Sequence, residues 1–257
     1  MVKLGGATLG SHDTTIEDIV YLQQQGKSLV IVHGGGNLVS EWLSREGISA
    51  RFVQGERVTD KLALEMVIAV LAGLVNKEIV AAINNRGGQA VGISGVDGGL
   101  IQSRIKDREL GYVGAIEKVN IAPLKVLLES GYVPVVAPVC LFAFDRATDA
   151  PQILNINGDP VAGEIAAAIG AERLIFLTDV AGICDQSGKL LPQLSASEAE
   201  ALVASGVASG GMIPKVRACL RALSSASTTC IIDGRQPHAL RREIGGGGEG
   251  TTIGGIK

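Results

Sequence analysis

The sequence predicts an α/β fold, a mostly parallel sheet covered on both faces by helices, on three observations. Short apolar runs alternate with segments of helical apolar spacing along most of the chain. Of the 257 residues, 46% are hydrophobic but only 3% aromatic, which supplies an ample aliphatic core. The 35 glycines lie in short clusters at turns and follow no repeat. This length suits one large domain or two lobes.

Taken in order, a first strand ends at Lys3-Leu4-Gly5-Gly6, and a helical pattern follows over 14–25. A β-branched run, Leu29–Val32, stops at His33-Gly34-Gly35-Gly36 and gives way to a helix over 37–46. The stretch 60–85 reads as one long, mostly uncharged helix, apolar around much of its circumference. Such a helix is either central to the fold or part of a subunit interface, and a homodimer is expected. A strand over Ala90–Ile93 precedes a hairpin, Leu100–Glu117, turning around Lys106-Asp107-Arg108. A helix over 121–130 and a strand over Val133–Val136 lead to a second hairpin, Leu141–Leu154, turning at Thr148-Asp149-Ala150-Pro151. Asn155-Ile156-Asn157-Gly158-Asp159 then enters a helix over 160–169 with Pro160 at its first position. The strand Leu174–Leu177 ends at Thr178-Asp179-Val180-Ala181-Gly182. Helices over 196–204 and 214–225 and a strand over Thr229–Ile232 complete the alternation. The glycine-rich loop Gly245–Gly250 is expected to be mobile.

A net charge of −3 without a basic block argues against a nucleic-acid surface. Cys140, Cys184, Cys219 and Cys230 have no paired spacing, which fits buried thiols in a reducing compartment better than disulfides or a zinc site. With no signal peptide and no apolar run of ~18 residues, the expectation is a soluble, cytoplasmic protein without a membrane span.

Ligands of α/β sheets sit beyond the carboxyl ends of the strands, where five segments converge: 3–6, 33–36, 155–159, 178–182 and 209–215. Three glycines after a strand suit a polyanion approaching the backbone. Neither standard nucleotide fingerprint is complete, however. Gly26-Lys27-Ser28 has Tyr21 where a P-loop needs its leading glycine, and Gly34-x-Gly36 is followed by Val39 where a dinucleotide fold needs its third. The balancing positive charge must come from elsewhere.

Lys215 lies in the first turn of a helix, where the dipole disfavours a cation by a few tenths to about 1 kcal/mol. An anion bound beside Gly210 and Gly211 would remove that penalty; a solvated lysine is the plain alternative. Lys3, just before Gly5-Gly6, is either an edge-strand gatekeeper or a cation aimed at a ligand. Asp159 reads as a helix N-cap or as a carboxylate holding both lysines. Arg57 could be a carboxylate fork or a surface ion pair. Asn155 is a loop cap or a ligand donor. His33, with no second histidine or carboxylate at ligand spacing, reads as structural, and His12 and His238 carry no signal.

These pieces together resemble the amino acid kinase family. The ordered set VKLGG, LVIVHGGGN, GERVTD, LAGLVNKEIVA, GYVPVVAPV, LNINGDPVAGEIAAAIGA, LTDVAGI and SGGMIPKV runs through nearly the whole chain and is specific where each piece is weak. The resemblance implies a three-layer α/β/α sandwich with a mostly parallel central sheet, in two lobes. The N-terminal lobe (1–168) would take an acylated amino acid and dimerise, and the C-terminal lobe (169–257) would take ATP. It runs to the branch that moves the γ-phosphoryl of MgATP onto the side-chain carboxylate of N-acetyl-L-glutamate in arginine synthesis. Kinases of N-acetyl-aminoadipate, one methylene longer, and a non-catalytic nucleotide-binding regulator are the rivals.

By the same resemblance, Lys3 and Lys215 neutralise the phosphoryl group in transit and Asp159 organises them. Amides of Gly5, Gly6, Gly34 and Gly35 add hydrogen bonds, and Arg57 and Asn155 anchor the substrate α-carboxylate. The segments holding Thr178, Asp179 and Gly182, and Gly210, Gly211, Met212 and Ile213, border the nucleotide. Mg²⁺ is held mainly by phosphates and water, so no protein metal ligand is expected. Arginine-inhibited members carry an extra N-terminal helix that builds a hexamer. With two residues before Lys3, a dimer without that control is expected.

Overall fold

The alternation of strand side chains decides which helical layer each residue enters, and it explains most of this architecture. The structure, a computed structural model, describes residues 1–6, 14–53 and 55–254. The elements run β1 (Val2–Leu4), α1 (Thr15–Gln24), β2 (Ile31–His33), α2 (Gly36–Arg45), β3 (Phe52–Val53), β4 (Glu56–Arg57), α3 (Lys61–Val67), a π-helical segment (Ile68–Val75) and α4 (Asn76–Asn85). The middle of the chain forms β5 (Ala90–Gly95), β6 (Ile101–Ile105), β7 (Gly114–Val119), α5 (Ala122–Glu129), β8 (Val133–Phe142), β9 (Ile153–Asn155) and α6 (Gly158–Ile169). The remainder forms β10 (Arg173–Thr178), β11 (Gln193–Leu194), α7 (Ala196–Ala204), α8 (Met212–Ala222), β12 (Thr228–Asp233), α9 (Ala239–Ile244) and β13 (Gly250–Ile253).

One mostly parallel sheet carries the order β11-β13-β12-β10-β1-β2-β8-β6-β7, with β5 and β9 also paired to β8; β3 and β4 form a separate ribbon. The antiparallel pairings in the large sheet are β12 with β13, β6 with β7 and β8 with β9. Both expected hairpins are therefore present. Val2, Leu4, Ile31, Val135, Ile175 and Leu177 pack on one face against α1, α2, α4 and α9. Val30, Val32, Val136, Leu174, Phe176 and Ile231 pack on the other against α6 and α8. Each core thus spans the sequence from both halves, because the sheet is continuous through β1.

Several expectations need correction. β1 lies between β10 and β2, so Lys3 is in mid-sheet and cannot be an edge gatekeeper. β8 runs past Val136 to Phe142 because β6 and β9 pair with its second half. The glycine-rich end of the chain adds α9 and β13; Gly250 is needed there, since a Cβ would stand 2.5 Å from Ile231 O. In the loop before it, Gly248 packs directly over the buried Glu243 carboxylate. Cys140, Cys219 and Cys230 are free and buried, but Cys184 is half-buried.

The helix at 61–85 is continuous yet π-helical over Ile68–Val75. By length and hydropathy it could cross a membrane, its most apolar window reaching a mean hydropathy of 2.0. Its inner face of Ala63, Val67, Val70, Leu71, Val75, Ile79 and Ile83 is instead buried core. Leu62 is 53% exposed on its outer side.

Candidate active site

Four parallel strands and the first turns of α2, α6 and α8 converge on a cavity of about 310 Å³. The pleat that sends Val2 and Leu4 to one face sends Lys3 to the other, toward α6 and α8. There Lys3 Nζ lies 2.7 Å from Asp159 Oδ1, and Lys215 Nζ lies 3.2 Å from Oδ2 of the same carboxylate. Lys215 Nζ also donates to Gly211 O at 3.0 Å, one turn back in its own helix. The lysine that a helix N-terminus should disfavour is thus held by an aspartate and a carbonyl.

Asp159 is 3% exposed and is not the N-cap. Asn157 is: its Oδ1 accepts the Asp159 amide at 2.9 Å, and α6 starts at Gly158, before Pro160. A Cβ at Gly158 would press on the sheet, standing 3.1 Å from His33 O, and would touch Lys3 Cε at 3.5 Å. Burial opposes ionisation of Asp159, but the two ammonium groups outweigh it and hold the carboxyl below the usual carboxylate range. Two lysines against one carboxylate leave the floor of the cavity net positive, which suits an incoming polyanion.

The glycine loops form the wall. Gly5 N donates to Leu177 O and Gly34 N to Leu4 O, both at 2.9 Å, so these two amides belong to the sheet and are not the free donors expected. Gly35, at φ 138°, is the N-cap of α2 with no side-chain cap, and the first turn of that helix opens onto the cavity through Gly36 and Asn37. Only glycine fits at 35, since a Cβ would stand 2.7 Å from Leu71 Cδ2 in the π-helical segment.

Arg57 is buried rather than a surface ion-pair partner. Its Nη2 donates to Gly36 O and to Ser40 Oγ, each at 2.7 Å, and its guanidinium lies 4.9 Å from the Phe52 ring centroid. Nη1 is buried with no partner among the described residues. Burial lowers its pKa. Asn155 Nδ2 donates one hydrogen bond to Thr59 Oγ1 at 3.0 Å. His33 is fully buried, held by Gly34 O and Asn76, and burial pulls its pKa down to about 4. His12 lies outside the described residues.

Of the nucleotide-side residues, Thr178 and Asp179 border this cavity, but the Thr178 hydroxyl is engaged with the Val180 backbone. Gly210, Gly211 and Ile213 border a second cavity of about 810 Å³ that shares Gly55, Glu56, Asn157 and Lys215 with the first. Two expected residues fall elsewhere. Gly182 packs under β13, where a Cβ would meet Thr251 Oγ1 at 2.6 Å, and Met212 turns into the core. Sequence reasoning missed Asn157, which borders both cavities; its spacing from Asn155 on either side of Ile156 was the available signal. It also missed Ser40, which orients Arg57 and carries no sequence signal.

A family model described as "Amino acid kinase family" matches residues 1–233. The chain belongs to the amino acid kinase family. Within it, the chain is 50% identical over 99% of its length to the acetylglutamate kinase of Dehalococcoides mccartyi (strain CBDB1), covering 94% of that protein. It is 49% identical to the acetylglutamate kinase of Nostoc sp. (strain PCC 7120 / SAG 25.82 / UTEX 2576), covering 95% of this chain and 83% of the relative. The fold is shared with the crystal structure of smu.665 from Streptococcus mutans UA159, at TM-score 0.83 and 24% identity, covering 99% of this chain and 97% of that one. Membership in this kinase family implies use of ATP.

Proposed function

We propose that the chain transfers the γ-phosphoryl group of ATP to the side-chain carboxylate of N-acetyl-L-glutamate, forming N-acetyl-L-glutamyl 5-phosphate in arginine biosynthesis. The observation that carries this reading is the Lys3–Asp159–Lys215 cluster at the floor of the cavity, in a chain half identical to curated acetylglutamate kinases. The nucleophile is a carboxylate already ionised near pH 7, so no general base is needed. The site has to align the two substrates and relieve repulsion between anions during in-line transfer.

Lys3 and Lys215 meet the phosphoryl oxygens, and Asp159 keeps the two ammonium groups charged and in place. The amides of Gly6 and Gly35 assist from the opposite wall. Arg57 offers its free Nη1 to the substrate α-carboxylate, and Asn155 its second Nδ2 hydrogen. Acyl amino acid occupies the lobe at 1–168, and the nucleotide the lobe at 169–257, beside Thr178, Asp179, Gly210 and Gly211. Among the described residues no group of three His, Cys, Asp or Glu side chains could hold a metal, and Asp159 is engaged by two lysines. Mg²⁺ bound with the nucleotide would be held mainly by phosphate oxygens and water. The protein acts in the cytoplasm as a homodimer paired through its N-terminal lobe, a reading supported by the exposed apolar Leu62.

Hydroxylamine trapping tests the reaction, with MgATP and, separately, N-acetyl-L-glutamate, N-acetyl-aminoadipate, aspartate and carbamate. Hydroxamate is expected chiefly from N-acetyl-L-glutamate. A preference for aminoadipate would overturn the substrate, and no product from any acceptor would leave a nucleotide-binding regulator.

A further inference from the structure

Behind the glycine wall lies a buried polar chain that the transfer chemistry does not use. His33 Nδ1 stands 2.8 Å from Gly34 O, and its Nε2 stands 3.3 Å from Asn76 Nδ2. A carbonyl only accepts and an amide nitrogen only donates. Nδ1 must therefore carry the proton and Nε2 the lone pair. Asn76 cannot turn round, because its Nδ2 donates to Val135 O at 2.9 Å and shares its second hydrogen between His33 Nε2 and Ile93 O, each at 3.3 Å, while its Oδ1 accepts from Lys77 Nζ at 3.0 Å. The ring is thus read as one tautomer, and its low pKa of about 4 keeps it neutral near pH 7.

The consequence falls on the next peptide. Gly34 O and Gly35 N–H belong to one planar unit, and no described peptide bond is cis, so the two groups point in opposite directions. Holding the carbonyl toward His33 holds the Gly35 N–H away from it, toward the Gly5–Gly6 loop; a Cβ on Gly6 would stand 3.5 Å from Gly35 N. Glycines on both sides of this peptide would otherwise let it flip at little cost.

We propose that His33, as the Nδ1–H tautomer that the Gly34 carbonyl requires, is a positioning residue that aims the Gly35 amide at the transferred phosphoryl group. This rests on the kinase reading for its catalytic half only; the tautomer stands by itself. Long-range ¹⁵N–¹H spectra of ¹⁵N-histidine protein read the tautomer directly, and an Nε2–H signal for His33 overturns the proposal whatever the activity.

Paired variants then separate the two contacts. His33→Asn places an amide N–H where Nδ1 stood and retains most of the wild-type kcat. His33→Gln puts its amide near the Nε2 position, frees the Gly34 carbonyl, and lowers kcat by about 100-fold or more with KM for N-acetyl-L-glutamate little changed, the scale of losing or misaiming one transition-state donor. Equal loss in both variants, or loss in KM alone, overturns the positioning role. A wild-type protein with no kinase activity refutes the kinase reading instead, and the tautomer remains decided by the spectra.

Discussion

Replacing Asp159 by Asn keeps its shape but removes the one negative charge between Lys3 and Lys215 and turns one of its two acceptor oxygens into a donor facing an ammonium. Their side chains are 8% and 18% exposed, so water does little to screen them from each other. Removing one partner of a buried ion pair costs about 3–5 kcal/mol. For a chain of this size each kcal/mol lowers Tm by about 2–4 °C, so a fall of about 6–20 °C is expected without ligand. The wild-type contribution has a defined pH sense: with the folded pKa depressed, it is present above the ordinary carboxylate range and lost as pH falls through the folded value. A polyanion replaces the missing charge, so ATP should raise the Tm of Asp159→Asn more than that of the wild type. Differential scanning fluorimetry with and without nucleotide, at neutral and acid pH, reads all of this. An unchanged Tm, or an equal nucleotide shift in both proteins, would refute the charge-bridge argument.

Three further outcomes are expected. Arg57→Ala should raise KM for N-acetyl-L-glutamate with a smaller effect on kcat, and Arg57→Lys should not restore it, because a lysine cannot hold Gly36 O and Ser40 Oγ while presenting a second donor to substrate; steady-state kinetics check this. His33, with a folded pKa of about 4 against about 6.5 unfolded, makes the unfolded chain the better proton acceptor, so stability falls by about 3 kcal/mol as pH drops from 6.5 to 4. Urea unfolding across that range should give a shallower pH slope in His33→Asn, and an identical slope would contradict the assignment. Gly34→Ala should fold normally yet lose activity, since its methyl meets only ordinary contacts and stands 3.7 Å from Lys3 Nζ; Gly35→Ala should lose stability, with a φ of 138° and a Cβ 2.7 Å from Leu71. Thermal melts set beside assays distinguish the two.

Local chemistry determined what could be read directly from the chain. Apolar runs alternating with helical spacing imply a parallel sheet with two helical faces, and glycines after Leu4 and His33 imply close approach by a ligand. Lys3, Asp159 and Lys215 were legible as site candidates because each belongs to a motif whose order along the chain matches a family. Their competing plain readings, an edge lysine, an N-cap and a solvated lysine, all rest on local position and could not be separated there.

Only the tertiary structure decided between them. Parallel pairing set β1 between β10 and β2, which removed the edge reading, and the pleat then aimed Lys3 at a helix more than 150 residues away in sequence. The same pairing took the amides of Gly5 and Gly34 into the sheet, while Gly35 lines the cavity. Which polar groups remain free depends on which partners fold against them, as the unpaired Nη1 of Arg57 illustrates. Residue order along the chain names the groups present, but the distances between them, 2.7 and 3.2 Å across Asp159, come from the packing of the sheet against α6 and α8.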